Sequence, residues 1–352
     1  MLRTSSPSRP FASALLCLAL PWATHASAAP AANTSPAHTQ ALPPVPAATS
    51  LLPAATPPKG IPYSTPSVTG TVLLHAQFPS AKVRPRDIYV WLPPSYAAHP
   101  ERRYPVLYMH DGQCLFDPSD SLSHAEWGID ESTTALLREG ALREAIIVGM
   151  SNTGMTRSEE YVPQKAIEGI LGTGNAMEQR LRKDLAMIGT DLSKVKPASD
   201  AYLAFIVGEL KPYIDSTYRT RPGREDTLVA GSSLGGLISL YAICEYPDTF
   251  GSAACISTHW TIGDGMMLDY LHRHGLPDPR THRLNFDFGT ETLDAPYEGY
   301  QRQADELVRK AGYSEGGNWV SLKFQGADHS EGAWQRRAPV YLKFLLGRTT
   351  TP

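Results

Sequence analysis

The residues with the clearest chemical potential are Gly231-Ser232-Ser233-Leu234-Gly235, a G-x-S-x-G pattern. The apolar run Thr227-Leu228-Val229-Ala230 precedes it, and Leu237, Ile238, Leu240 and Tyr241 follow at helical intervals. Strand, sharp turn and helix are the setting that a nucleophile elbow requires. In so tight a turn a Cβ at either flank would strike the neighbouring backbone, which is the physical reason for the two glycines. Ser233 would expose its Oγ above the sheet edge. The Leu234 N–H, at a helix N-terminus, would face developing negative charge. The alternative is a plain glycine-rich turn in which Ser233 only caps its helix. Partners in the right chain order distinguish the two.

A nucleophilic serine of this kind is followed in the chain by an acid and then by a histidine base. Of eleven histidines, only His259, His272, His274, His282 and His329 follow Ser233. Only His329 also follows the acids at the later strand ends. It lies in Gln325-Gly326-Ala327-Asp328-His329-Ser330-Glu331, directly after the strand-like run Trp319–Phe324. The acid belongs just after Leu284–Phe288, in Gly289-Thr290-Glu291-Thr292-Leu293-Asp294-Ala295-Pro296. Asp287 sits inside the strand and should point to a sheet face, so Glu291 and Asp294 are the candidates. Asp294 could instead be the N-cap of the helix that Ala295-Pro296 begins. A short carboxylate holds an imidazole with less freedom, which favours Asp294 as the acid and leaves Glu291 as the alternative.

Acyl transfer also needs a second oxyanion donor from the loop after the third strand, here His110-Asp111-Gly112-Gln113-Cys114. Gly112 lets the backbone approach closely, so the N–H of Gly112 or Gln113 qualifies. Gln113 is taken with Leu234 as the oxyanion pair. His110-Asp111 and His272-x-His274 lack a further ligand at useful spacing, so neither a metal nor a cofactor is implied.

These residues must be held by a sheet. Strands are predicted at 70–75, 87–92, 106–110, 145–150, 227–230, 253–256, 284–288 and 319–324. Amphipathic helices are predicted at 129–142, 201–214 and 297–311, with another directly after Ser233. Continuous apolar strands alternating with helices make a mostly parallel sheet covered on both faces. About eight strands, with antiparallel ones at the front, suit an α/β-hydrolase fold. Residues 164–200 fit less well: Met177, Leu181, Leu185 and Ile188 mark a helix that is either a cap over the substrate or an ordinary crossover.

The 352 residues, 42% hydrophobic and 19% charged, suit a globular protein, and a net charge of −3 gives no reason to expect nucleic acid as a partner. Residues 1–28 read as a signal peptide. Arg3 and Arg9 form a basic region, Phe11–Trp22 an apolar core too short for a resident span, and Ala26-Ser27-Ala28 a cleavage pattern. An exported, periplasmic or secreted, protein without stable membrane insertion is expected. Residues 29–66, rich in Ala, Pro, Thr and Ser, read as a disordered linker, and residues 67–352 as the catalytic domain. Beyond Cys17 in the leader, Cys114, Cys244 and Cys255 allow at most one bridge, Cys244–Cys255. Oligomeric state is left open.

Four ordered motifs then coincide: Met109-His110-Asp111-Gly112-Gln113-x-Leu115-Phe116-Asp117, Arg157-x-x-Glu160-Tyr161-x-Pro163, Gly231-x-Ser233-x-Gly235-Gly236, and His329-Ser330-Glu331-x-x-Trp334. Together they resemble the putative esterase (esterase D and enterochelin-esterase-like) family of the α/β-hydrolase superfamily, over about residues 69–347. The resemblance implies Ser233 as nucleophile, His329 as base and residues 112–113 in the oxyanion role. Many members place an Asp three residues after the loop glycine. Here that position is Thr292, with Glu291 and Asp294 on either side. Arg157, Glu160 and Tyr161 match a family motif and would form a buried ion pair in the pocket wall or touch substrate. An exported serine esterase acting on a small-molecule ester is implied. Acyl transfer to an alcohol by the same triad, or non-catalytic binding on the same fold, are the alternatives.

Overall fold

Val106–His110 and Ile146–Met150 are buried at every residue, as only strands covered on both faces can be. The structure, a computed structural model, describes residues 56–348 apart from Leu122, Leu192, Lys194 and Val195. The expected signal peptide and all but the last residues of the expected linker lie outside the described residues. The strands are β1 (Ile61–Tyr63), β2 (Thr71–Phe78), β3 (Arg86–Leu92), β4 (Val106–His110), β5 (Ile146–Met150), β6 (Thr227–Ser232), β7 (Ser252–Ile256), β8 (Arg283–Phe288) and β9 (Trp319–Lys323). They form one nine-stranded sheet in the order β1-β2-β3-β5-β4-β6-β7-β8-β9. The pairs β1–β2, β2–β3 and β3–β5 are antiparallel, and every pair from β5–β4 onward is parallel. This is the α/β-hydrolase arrangement, mostly parallel, with one strand more than the eight expected.

The extra strand is β1, which falls inside the stretch expected to be linker. Its pairing of Ile61 with Leu74 and Tyr63 with Val72 tolerates Pro62 because β1 is an edge strand. Alternation along the strands sends Tyr108, Val148 and Val229 to one face and Leu107, Met109, Ile147 and Leu228 to the other. The first face packs under helices Ser199–Phe205, Leu234–Glu245, Met266–His274 and Tyr297–Lys310. The second is covered by helices Ile129–Arg138 and Glu331–Leu346. The expected 201–214 helix is continuous in direction but opens into a wide π turn at Ile206–Leu210 before Lys211–Thr217. Within 164–200, helix Ala176–Met187 is capped by Asn175, whose side-chain oxygen accepts from the Glu178 N–H at 2.9 Å. The helix lies against the turn Ile262–Asp264 beyond β7, where Asp184 accepts from the Gly263 N–H at 3.0 Å. Cys114, Cys244 and Cys255 are free thiols, so the Cys244–Cys255 bridge left open by the sequence is not formed.

Candidate active site

β6 ends in a backbone that strand and helix both avoid. Ser233 has φ 58° and ψ −121°, a region costly for a residue with a Cβ. Neighbours hold it there. Its N–H donates to the Ile256 carbonyl at 2.9 Å, and its carbonyl accepts from the His259 N–H at 3.2 Å, tying the turn to the end of β7. A Cβ at Gly231 would lie 2.7 Å from the Gly235 carbonyl oxygen, so the turn closes only with glycine there. Ser233 does not cap its helix: its half-buried Oγ makes no hydrogen bond among the described residues. Leu234 is the first helical residue, so its N–H has no acceptor within the helix.

β8 and β9 deliver the acid and the histidine. After β8 the chain makes a 3-10 turn at Thr292–Asp294 and buries Asp294 completely. Asp294 Oδ1 lies 2.5 Å from His329 Nδ1. Its Oδ2 accepts from the Gly289 N–H and from the Ser257 hydroxyl, both at 2.5 Å. Asp294 does not cap the following helix, Tyr297–Lys310, whose N-cap position is Pro296. Glu291 is exposed, and its carboxylate makes no hydrogen bond among the described residues. Burial alone would raise the Asp294 pKa, but the hydrogen bond and charge of His329 outweigh it and hold the carboxyl below its ordinary value. The His329 N–H donates to Thr292 Oγ1 at 2.9 Å. Its ring stands edge-on to Trp334, 5.0 Å between centroids, and to Tyr297 at 6.0 Å.

Two further histidines lie near the elbow, and both are kept neutral. His259 is buried, with Nδ1 2.7 Å from the Tyr297 hydroxyl. Its pKa is lowered to about 3, first by burial and then by His329 beside it. His110, at the end of β4, is fully buried against the Tyr202 hydroxyl and likewise lowered to about 3 by burial.

The loop after β4 is set by an ion pair. Asp111 takes the left-handed conformation, φ 59°, and both of its oxygens accept from Arg157, Nε to Oδ1 and Nη2 to Oδ2, each at 2.7 Å. Asn152 adds a bond to Oδ1 at 2.7 Å, and the Asp111 N–H donates to the Tyr161 hydroxyl at 3.2 Å. Burial would raise the Asp111 pKa, but Arg157 holds it below the usual value. Gly112 is pressed onto β5: a Cβ there would sit 2.4 Å from the Gly149 carbonyl carbon. The first hydrogen bond of the turn is made by the Cys114 N–H to the Asp111 carbonyl, so the Gly112 and Gln113 N–H groups precede it. The Gln113 side chain accepts from the Asn152 N–H at 3.1 Å.

Ser233, Leu234, Asp294, His329 and Gln113 thus all lie at the C-terminal ends of neighbouring strands, while Glu291 faces outward. The Arg157 motif does form ion pairs, though not internally. Arg157 pairs with Asp111, and buried Glu160 pairs with Arg86 from β3 at 2.6 Å. Sequence reasoning missed Ser257, Arg337 and the setting of Trp334. Ser257 follows β7 directly and Arg337 lies eight residues after His329, and strand-end position was the only signal available for the first.

A family model described as Putative esterase matches residues 80–187 and 189–344. The uncharacterized protein YbbA of Bacillus subtilis (strain 168) is 23% identical over 269 residues, 75% of this chain and 93% of that protein. Solved structures share the fold. A ferulic acid esterase has a TM-score of 0.53 at 18% identity, over 78% of this chain and 97% of that one. An IroE-like serine hydrolase from Shewanella oneidensis has 0.54 at 18%, over 76% and 78%. The enterobactin esterase FES from Shigella flexneri has 0.53 at 16%, over 84% and 59%. With its elbow, its strand order and a family match running through nearly all of the described residues, the chain belongs to the Putative esterase family of the α/β-hydrolase fold.

Proposed function

We propose that this protein is an exported serine esterase with Ser233, His329 and Asp294 as its triad. The observation that carries the reading is the strained Ser233, its Oγ unbonded, at the same sheet edge as the buried Asp294–His329 pair. His329 Nε2 takes the Ser233 proton as Oγ attacks an ester carbonyl. Asp294 fixes the tautomer with the other proton on Nδ1 and stabilises the imidazolium. The tetrahedral oxyanion is met by the Leu234 and Gln113 N–H groups. The imidazolium then protonates the departing alcohol. Water, deprotonated by His329, attacks the acyl-serine and releases the acid.

The substrate is a small-molecule ester. Because structural relatives bear the names ferulic acid esterase and enterobactin esterase, feruloyl and catecholate-siderophore esters head the screen, beside short acetyl esters. Residues 1–28 carry the export reading, and N-terminal sequencing of the protein recovered from the periplasm or medium should begin near Ala29. No helix among the described residues is long and apolar enough to cross a membrane. The catalytic reading is tested with p-nitrophenyl acetate. Wild type should hydrolyse it and Ser233→Ala should fall to near the uncatalysed rate, whereas equal activity in the two proteins contradicts the assignment.

A further inference from the structure

Asp294 is held from behind by a group to which neither the elbow nor the family match assigns a role. Ser257 follows β7 with φ 42°, and its N–H donates to the Asp287 carbonyl at 2.8 Å. Its Oγ touches three polar partners: Asp294 Oδ2 at 2.5 Å, Arg337 Nη2 at 2.9 Å and Trp334 Nε1 at 3.2 Å. Arginine and indole nitrogens can only donate, and a hydroxyl has two lone pairs and one proton. Both lone pairs are therefore occupied, and the proton points to Asp294. The donor direction from Arg337 through Ser257 to Asp294 is thus fixed by chemistry, and Asp294 accepts from both Ser257 and the His329 ring.

Arg337 is 2% exposed and also donates from Nη1 to Asp287 Oδ1 at 2.8 Å. It is thereby neutralised by Asp287 and reaches the triad acid only through the hydroxyl. A direct two-pronged arginine would occupy both oxygens of Asp294 and compete with His329 for Oδ1. Routing the contact through a serine leaves Oδ1 to the imidazole. We propose that Ser257 is a positioning residue of the triad: its hydroxyl, polarised by Arg337 and Trp334, fixes Asp294 Oδ2 so that Oδ1 faces His329. The inference rests on the serine-esterase reading above.

The other ionisable groups around this pair are Asp287, Arg337, Tyr297 and His259, with Arg157 beyond His259. Ser257→Ala removes the hydroxyl and, of these groups besides Asp294 itself, takes a partner only from Arg337, which keeps its bond to Asp287. Ser257→Gly does the same and also relieves the positive φ, so it serves where the alanine variant is too unstable. On p-nitrophenyl acetate, kcat on the high-pH plateau should fall about tenfold, as for loss of one hydrogen bond to a charged group, with KM within about twofold. Without the Ser257 proton, Asp294 becomes the stronger base and stabilises the imidazolium more. The acid limb of kcat/KM should therefore move to higher pH. A kcat at the wild-type level, or an acid limb that stays put or moves down, overturns the assignment. Ser233→Ala, run in parallel, separates the two claims. If it keeps activity the esterase reading falls, and if it is inactive while the Ser257 variants match wild type, only the positioning role falls.

Discussion

The loops on the two sides of the elbow each bury a carboxylate near an arginine, and they do so in opposite ways. Beyond β4, Asp111 is gripped directly by Arg157 through both oxygens. Beyond β8, Asp294 has, among the described residues, no arginine in contact, only a backbone N–H, a serine hydroxyl and His329, with Arg337 one hydroxyl away. Asp287, next to it, is the one paired directly with Arg337. On the proposed mechanism the difference follows from what each carboxylate must do. A bidentate ion pair uses up the directional capacity of a carboxylate and makes a rigid strut, which suits a loop whose backbone N–H groups must be held in place. A carboxylate that orients a histidine must keep one oxygen for it. On this account Asp111 fixes geometry and Asp294 takes part in chemistry.

The largest effect that tests the contrast is Asp294→Asn, which should lower kcat about 10⁴-fold, because the amide favours the wrong imidazole tautomer. A loss below about tenfold would remove Asp294 from the triad. Asp111→Asn should act differently. It breaks the ion pair with a partly exposed Arg157, lowering stability by roughly 2 kcal/mol after allowance for solvent, and it loosens the loop proposed to meet the oxyanion, lowering kcat about 10²-fold. Its acid limb should stay where the wild-type limb lies, since no group bonded to His329 is changed. Measuring kcat, the limb and the melting temperature together separates a strut from a charge partner.

A smaller effect concerns stability and pH. Burial lowers the His110 pKa from 6.5 to about 3 in the folded protein. Between those values the unfolded chain binds a proton that the folded chain refuses, so stability falls as pH drops through that window. Removing the group should flatten the decline. His110→Phe, which keeps the ring volume and gives up the bond to Tyr202, should lose less stability between pH 6.5 and 3 than wild type, by on the order of 3 kcal/mol. Parallel denaturation series at several pH values measure this, and parallel slopes would show that His110 is not the group responsible. The smallest effect is that of Glu291→Gln, within about twofold of wild type in kcat, since its carboxylate is exposed and bonded to nothing in the site.

The elbow, the candidate acid and histidine on loops after later strands, and eight of the strands were legible because each is written in local pattern: apolar runs, glycines at a tight turn, loops at strand ends. What escaped has a common physical cause. β1 is three residues long with a proline, too short for alternation to register. Helix Glu331–Leu346 carries Pro339 and the buried Arg337, both of which break an amphipathic reading. The positive φ values at Asp111, Ser257 and Thr292 fall on residues with side chains, so no glycine marks them. The Ser257–Arg337 contact spans 80 residues and exists only once β7 and the terminal helix pack together. The choice between Glu291 and Asp294 was open in the sequence for the same reason. Three residues apart on one loop, they differ in which way the 3-10 turn points them, inward for Asp294 and outward for Glu291.

The central claim is that Ser233 is activated by this assembly. Incubating the wild-type protein with a fluorophosphonate, which reacts far faster with an activated serine than with an ordinary one, and mapping the adduct by peptide mass spectrometry tests it most directly. The adduct should fall on Ser233, and Asp294→Asn should slow its formation in step with the loss of esterase activity. An adduct on another residue, or labelling of Ser233 at the same rate in Asp294→Asn, would contradict the account.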